Sequence, residues 1–574
     1  MYSNYKSIQI LIALLKEYKI HNIIISPGGS NIPIVHSVEN DEFFKCYSVV
    51  DERSALYFGM GVAQVENEPV ACLCTSGTAV SNYLPGMTEA YYQNVPIIAI
   101  TADKNPYFTG QIETQKINQK DIFGEVSKKS VDLPLCNTKD EIWYCERLIK
   151  EALVASTHHG KGPVHINLPV VGSYANYDTT VLPNVKPIKI VNCENNEETW
   201  KEYLDVFKKS KKILIFVGQN VLFTDNDIQN IETFFSKFNC MISVEHLSNL
   251  KCKGTIFTYP VTETGNTNMQ DFVPDLVISL GNNLAAYCLK PFLRANNDNF
   301  RHISIDEGGR IRDVFQGLTD VFECTPSYFF KYFANNALDD CSNNMTYYQL
   351  WKDAVDRIII PDFPFSNLYV AKKLSLIIPP KSILHLAILN STRIMQFFKL
   401  QDNIRVFSNV GALGIDGCLS TFIGHSVAVN ELAFLVIGDL SFFYDMNAAG
   451  IKHISNNIRI ILLNNGGGSE FHFFMNKKDI PSINDNICAE HRKSARGWIE
   501  SLGYEYYSAS SKNELDETLQ TFVKESGRPK FLEVFTDMET DANISCEFYN
   551  SNRPTPNLKQ KSKILASKIK RKLL

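Results

Sequence analysis

Short apolar runs rich in β-branched residues recur along the chain, each followed by a turn and then by a helix-length amphipathic stretch. HNIIIS at 21–26 is broken by Pro27, Gly28 and Gly29; CYSVV leads into DERSALYFGMGVAQ and VACLCTS into GTAVSNYLPGMTEAYY, before PIIAITAD and PVHINLP. Continuous apolar runs of this length, alternating with amphipathic stretches, predict parallel strands covered on both faces by crossover helices. After the polar stretch NCENNEETWKEYLDVFKKSKK the pattern restarts with ILIFVG, CMISVE, PDLVISLG and RHISIDEGG. A third series holds SILHLAI, IRVFSN, LAFLVIGD, IRIILLNN and FLEVFTD, with ANNALDDCSNNMTYYQ as the linker before it. The predicted fold is α/β, with three doubly wound, mainly parallel-sheet domains at residues 1–185, 186–340 and 341–550. A basic tail, 551–574, contains KQKSKILASKIKRKLL and reads as a solvated end rather than a membrane-surface or partner helix.

Composition agrees with several cores: 574 residues at 44% hydrophobic exceed what one core accommodates. With 57 basic against 62 acidic residues the net charge is −5, so no chain-wide basic field attracts nucleic acid. The 14 cysteines are scattered among strand-like runs, as at Cys72 and Cys74, without metal-ligand spacing or a disulfide framework, which predicts a reducing, cytoplasmic setting. MYSNYKSIQILIALLKEYKI reads as an amphipathic helix rather than a leader. No run reaches the ~18 apolar residues of a membrane span.

Chemistry concentrates in LVIGDLSFFYDMNAAGIKHISNNIRIILLNNGGG, residues 435–468. One strand ends at Gly438–Asp439 and the next at Asn464–Asn465, 26 positions after the aspartate. Parallel strands deliver both ends to the same sheet edge, where open α/β folds bind ligands. A carboxylate, an amide oxygen and a nearby backbone carbonyl are hard donors suited to Mg²⁺, whose remaining partners are usually phosphate and water. Gly466, Gly467 and Gly468 let backbone approach a diphosphate closely. Taken singly, a GD pair caps a helix and NNGGG makes a turn; together, each after a strand, they point to a metal-diphosphate site.

This segment resembles the metal-diphosphate motif of thiamine-diphosphate enzymes. Leu440 in GDLS is similar to one branch of them, the 2-succinyl-5-enolpyruvyl-6-hydroxy-3-cyclohexene-1-carboxylate synthase (MenD) family of menaquinone biosynthesis. SNVGALGIDGCLST at 408–421, SPGGSNIP, DERSALYFGMG, TSGTAVSN, TADKNP and TQKINQKDIFG follow the order of that family's motifs, and ISIDEGGR at 303–310 is a weaker match. The resemblance implies a transferase in which 1–185 binds the pyrimidine of thiamine diphosphate, 186–340 is a central Rossmann-like domain and 341–550 binds the diphosphate with Mg²⁺ or Mn²⁺. Asp439, Asn465 and the Gly467 carbonyl would be the metal ligands. Gly438, Asp439, Leu440, Ser441, Asn465 and Gly467 would bind the cofactor, with Leu413 wedging it into a bent conformation; ordinary core packing is the competing reading of Leu413. Glu52 would be the catalytic carboxyl group set against the aminopyrimidine nitrogen, whereas DER alone reads as an acidic first turn of a helix. The resemblance further implies a homodimer or homotetramer in which Glu52 faces the Asp439 site of another subunit.

Substrate positions depart from that pattern. Family arginines fall on Ser30, Lys104 and Val410, while Gln115 and Gln119 match polar active-site positions; exposed glutamines on a helix are the bland alternative. Family substrates, 2-oxoglutarate and isochorismate, are rich in carboxylates, for which bidentate arginine is the natural partner. The sequence therefore predicts a carboligase that decarboxylates a 2-oxo acid and adds the acyl carbanion to an acceptor, with substrates open to change and a polysaccharide-related pathway as an alternative to the menaquinone one. A simple 2-oxo-acid decarboxylase and a non-catalytic binding or assembly protein remain as other readings.

Overall fold

A computed structural model of the protein describes residues 1–171, 175–188, 197–219, 222–264, 269–283, 287–337, 342–473 and 482–551. Its strands form three six-stranded sheets, and every strand pairing between them is parallel. The first contains β1 (Asn22–Ile25), β2 (Lys45–Ser48), β3 (Val70–Cys74), β4 (Ile97–Asp103), β5 (Ser130–Asp132) and β6 (Val164–Pro169). The second contains β7 (Ile213–Val217), β8 (Cys240–Val244), β9 (Thr255–Phe257), β10 (Leu276–Leu280), β11 (Arg301–Ile305) and β12 (Leu318–Phe322). The third contains β13 (Ile383–Leu386), β14 (Arg405–Phe407), β15 (Ala433–Gly438), β16 (Ile458–Asn464), β17 (Glu505–Ala509) and β18 (Lys530–Phe535).

Strand orders reveal a kinship the sequence pattern leaves hidden. The first sheet runs β2-β1-β3-β4-β6-β5 and the third β14-β13-β15-β16-β18-β17, the same order shifted by twelve strands. The middle sheet runs β12-β11-β10-β7-β8-β9, the doubly wound Rossmann arrangement, with its switch point between β7 and β10.

The strands that patterning misses are β5, β9, β12 and β17, each the outermost strand of its sheet. Their residues are largely half-buried, so they lack the unbroken apolar run that marks an interior parallel strand. The expected linker is shorter than its sequence suggests: the helix Pro326–Asn336 takes its beginning and the helix Thr346–Asp356 its end, while 338–341 lie outside the described residues. The basic tail beyond Ser551 also lies outside them. At the other end the predicted first helix spans Lys6–Glu17. No helix among the described residues is long and apolar enough to cross a membrane, and the described cysteines are free thiols.

The first and third units share one apolar core, in which Leu56, Tyr57 and Met60 of the helix Glu52–Glu66 pack with Leu419, Phe422 and Ile423 of the helix Cys418–Val427. Two glycines let these helices approach at backbone distance. A Cβ on Gly61 would lie 2.1 Å from the Thr421 carbonyl oxygen, and one on Gly424 would lie 2.1 Å from that of Phe58. Backbone on the far side cannot swing away as a side-chain tip does. Gly424→Ala is therefore expected to lower stability by about 1–3 kcal/mol through overpacking, read as a lower denaturation midpoint, despite the better helix propensity of alanine.

Candidate active site

β15 and β16 are adjacent, with Gly438 opposite Leu463, so both chain segments leave the sheet at one edge. Asp439 opens the helix Asp439–Asp445 and is 3% exposed. Its Oδ2 accepts the Gly466 N–H at 2.8 Å and the Gly467 N–H at 3.0 Å, and its Oδ1 accepts the Leu440 N–H at 2.6 Å. The carboxylate thus clamps the turn after β16. Gly467 holds φ 153°, and a Cβ there would also meet the Cys488 carbonyl oxygen at 2.7 Å; both facts require glycine.

Asn465 is oriented by its own partner. Its Nδ2 donates to Asp541 Oδ2 at 3.2 Å, which commits the amide nitrogen and leaves the amide oxygen for a ligand. Asp541 is buried and also accepts the Asn367 N–H at 2.8 Å and the Thr536 hydroxyl at 2.7 Å. Burial pushes its pKa up to about 6 against the opposing pull of these donors.

His491 completes this end of the site. Its Nδ1 accepts the Lys493 N–H at 3.2 Å, so a neutral ring carries its proton on Nε2. Among the described residues that Nε2 is buried without a hydrogen-bond partner, 3.5 Å from Asp439 Oδ2. A cleft of about 500 Å³ opens here, lined by Asn465, Gly466, His491, Arg492 and Lys493 among others. Among the described residues, and apart from its two chain neighbours, no heavy atom comes within 4 Å of a Cβ built on Gly438. Open space beside a carboxylate, an amide oxygen and a left-handed glycine turn fits a hydrated divalent cation and a diphosphate. Half-buried Leu440 follows Asp439, and the Ser441 hydroxyl donates to the Ile415 carbonyl at 2.9 Å, tying this helix to the 408–416 segment.

On that segment Leu413 has φ +62° and is 39% exposed. Core packing does not account for it: a bulky residue stands partly in solvent on a left-handed backbone, a conformation that costs roughly 1–2 kcal/mol. Val410, in contrast, is buried, and its carbonyl accepts from Asn283 Nδ2 at 3.4 Å.

The first sheet presents the other group of residues. Glu52 is the first residue of its helix, but Asp51 does the capping, accepting the Arg53 and Ser54 N–H groups at 3.0 and 3.4 Å. Glu52 is left half-buried, and among the described residues Oε2 accepts only a long 3.4 Å contact from Asn82 Nδ2. Arg53 Nη2 reaches the Tyr444 carbonyl and Asp445 Oδ1, each at 3.3 Å. Asp445 is fully buried, and burial pushes its carboxyl up to about 7.

Ser30, Gln115 and Gln119 converge on the turn after β3. The Ser30 and Ser76 hydroxyls lie 3.2 Å apart, Gln115 Nε2 donates to the Ser76 carbonyl at 3.0 Å, and Gln119 Oε1 accepts the Gly77 N–H at 3.2 Å. Neither glutamine is helical: Gln115 is exposed at φ 58°, whereas Gln119 is 1% exposed and bonds Asn167 Oδ1 at 2.9 Å. Gly28 passes so close to this turn that a Cβ would fall 2.2 Å from that of Thr75. Lys104 is already engaged, by Glu113 at 3.1 Å and by the Thr114 carbonyl.

The predicted residues therefore form two assemblies, one around Asp439 and one around Ser76 and Glu52. Among the described residues of a single chain no hydrogen bond or ion pair joins Glu52 to Asp439. Sequence reading overlooks Asp541 and His491, which carry no motif of their own; only the strand end FLEVFTD, just before METDA, hints at the former.

Comparison with known proteins covers nearly the whole chain. The family described as thiamine pyrophosphate enzyme, N-terminal TPP binding domain, matches residues 6–122. A protein of Phocaeicola vulgatus is 37% identical over 557 residues, covering 96% of this chain and 99% of its own. Relatives from Bacteroides fragilis and Bacteroides thetaiotaomicron are 36% and 34% identical, again over 96% of this chain and 99% of theirs. All three carry the name 2-succinyl-5-enolpyruvyl-6-hydroxy-3-cyclohexene-1-carboxylate synthase.

Proposed function

Because the chain belongs to the 2-succinyl-5-enolpyruvyl-6-hydroxy-3-cyclohexene-1-carboxylate synthase family of thiamine-diphosphate enzymes, we propose that it is a carboligase that decarboxylates a 2-oxo acid and transfers the acyl unit to an acceptor. Its cofactors are thiamine diphosphate and a divalent metal such as Mg²⁺. The observation that carries the reading is the Asp439 clamp on the Gly466–Gly467 turn beside an Asn465 amide turned by Asp541. The domain boundaries 1–185, 186–340 and 341–550 go with the same proposal.

Asp439, the Asn465 amide oxygen and the Gly467 carbonyl would hold the metal. Gly438, Leu440 and Ser441 would flank the diphosphate, and Leu413 would pack against the cofactor. Thiamine diphosphate, when bound, supplies the electron sink for decarboxylation. The protein's task is to orient it, exclude water and manage one proton. Glu52, free of capping duty, would present its carboxyl group to the aminopyrimidine nitrogen of the bound cofactor, a role that needs a carboxyl group in a water-poor cleft.

Assembly into at least a homodimer brings the Glu52 of one subunit to the Asp439 site of another. In support, no hydrogen bond or ion pair joins Glu52 to Asp439 among the described residues of one chain, and Val50, Tyr107 and Ile112, on the segments that bear Glu52 and the Ser76 cluster, are strongly exposed apolar residues.

Substrates other than 2-oxoglutarate and isochorismate are favoured by a separate observation. Ser30 and Val410 carry no charge, and Lys104 is held by Glu113 and Thr114. Two missing charge-assisted contacts, at about 1.5–3 kcal/mol each, would weaken those carboxylates' binding by orders of magnitude. Product analysis with a panel of 2-oxo acids, with and without acceptors including isochorismate, tests both parts. A coupled product that requires an acceptor, with poor use of 2-oxoglutarate and isochorismate, is expected. Aldehyde as the sole product overturns the ligase assignment, and efficient turnover of the 2-oxoglutarate–isochorismate pair overturns the altered substrate.

A further inference from the structure

Glu89 lies on the buried face of the helix Leu84–Gln93 in the first unit and is 1% exposed. Its carboxylate crosses into the third unit. Oε1 accepts the Gly411 N–H at 2.9 Å and Oε2 the Ala412 N–H at 2.6 Å, while Gln93 Nε2 donates to Oε1 at 2.5 Å. Burial raises the Glu89 pKa, and these three donors oppose the rise. A carboxylate so deeply placed is costly unless its donors are fully committed to it.

Surrounding groups tighten the same segment. Gln93 Nε2 and Gln219 Nε2 both donate to the Ser408 carbonyl, at 3.1 and 2.8 Å, and Gln93 Oε1 accepts from Gln64 and Gln219 at 2.7 and 2.9 Å. Side chains from the first and second units thus grip residues 408–412 of the third. The grip requires glycine at 411, where a Cβ would lie 2.8 Å from Gln93 Cγ and 3.1 Å from the Glu89 carbonyl oxygen. Leu413 follows at once. A left-handed leucine persists only where its surroundings over-determine it, and the two amides immediately before it are both held by one carboxylate.

We propose that Glu89 is the positioning residue that sets the conformation of Leu413, acting through the Gly411 and Ala412 amides to hold the leucine side chain against the cofactor. The proposal rests on the assignment of Leu413 as a cofactor contact. Glu89→Gln is nearly isosteric, yet its NH₂ group faces one of the two N–H donors, so one bond is lost and replaced by a donor–donor clash. The 408–413 segment then relaxes and the leucine leaves its post.

Wild type, Glu89→Gln, Leu413→Gly and the double variant separate the possibilities when the KM for thiamine diphosphate at saturating Mg²⁺, the KM for the 2-oxo acid and the melting temperature are measured for each. Glu89→Gln is expected to raise the cofactor KM about ten-fold or more, the loss of one buried charge-assisted bond, with the 2-oxo-acid KM changed less than about two-fold. Leu413→Gly should raise the cofactor KM as well, and the double variant should be no worse than the worse single one, because both changes remove the same contact. A cofactor KM unmoved by Glu89→Gln but raised by Leu413→Gly, or fully additive effects, overturns the positioning role and leaves Leu413 as a cofactor contact. A cofactor KM unmoved by Leu413→Gly overturns the underlying assignment instead. If Glu89→Gln does not fold, Glu89→Asp, which keeps the charge but is too short to reach both amides, carries the same expectation and the same refutation.

Discussion

Glu52→Gln is expected to cut thiamine-diphosphate-dependent CO₂ release by about 10²- to 10⁴-fold, the usual contribution of a positioned acid–base group. Size and polarity barely change, so what is removed is the ability of the side chain to hold and share a proton. Folding should survive, because Asp51 and not Glu52 caps the helix Glu52–Glu66, and among the described residues the 3.4 Å bond from Asn82 is the one hydrogen bond to the Glu52 side chain. Binding of the metal and diphosphate should survive too, since Asp439 and Asn465 are untouched. The informative pattern is therefore near-normal cofactor affinity and melting temperature with lost turnover. Equal loss of affinity and turnover would mean that Glu52 merely binds, and unchanged turnover would remove it from the chemistry.

Asp439→Ala should fail differently, by losing the cofactor itself. The substitution deletes the only anionic member of the proposed ligand set and leaves the Gly466 and Gly467 N–H groups without their acceptor. Each unsatisfied buried donor costs about 1–3 kcal/mol, so the turn after β16 should loosen and stability fall measurably. Calorimetric titration with thiamine diphosphate and Mg²⁺ should show no saturable binding at concentrations that saturate the wild type. Asp439→Asn, which retains one acceptor oxygen and loses the charge, should bind weakly and regain part of its activity at high Mg²⁺. Wild-type affinity in the alanine variant would move the metal site elsewhere.

Much of this fold can be read from apolar runs because interior parallel strands are buried on both faces. β1, β3, β4, β7, β10, β15 and β16 announce themselves for that reason, whereas β5, β9, β12 and β17 sit at sheet edges and are largely half-buried. The shared strand order of the first and third sheets is beyond periodicity altogether, since it depends on which strands become neighbours rather than on what each strand is made of. Site legibility divides along similar lines. Gly438–Asp439 and Asn465–Gly467 stand out because the proposed metal-diphosphate site would require those residue types at two adjacent strand ends. Asp541 and Glu89 do not, because each acts on a partner far away in the chain, 76 residues in the case of Asn465 and more than 320 for Gly411 and Ala412. Leu413 is legible as a motif position but not as a left-handed residue, since leucine carries no intrinsic preference for that backbone. Gln115 and Gln119 illustrate the converse: polar side chains that suit an exposed helix are instead folded over the Ser76 turn.

The central claim, that this chain performs decarboxylation with a metal-held thiamine diphosphate, is tested most directly by following CO₂ release from a panel of 2-oxo acids by the full-length protein after removal of metal and cofactor. Release is expected only when thiamine diphosphate and Mg²⁺ or Mn²⁺ are both restored, and to vanish again with a chelator. Saturating addition of both without any CO₂ release from any 2-oxo acid, or release that persists without them, would contradict it.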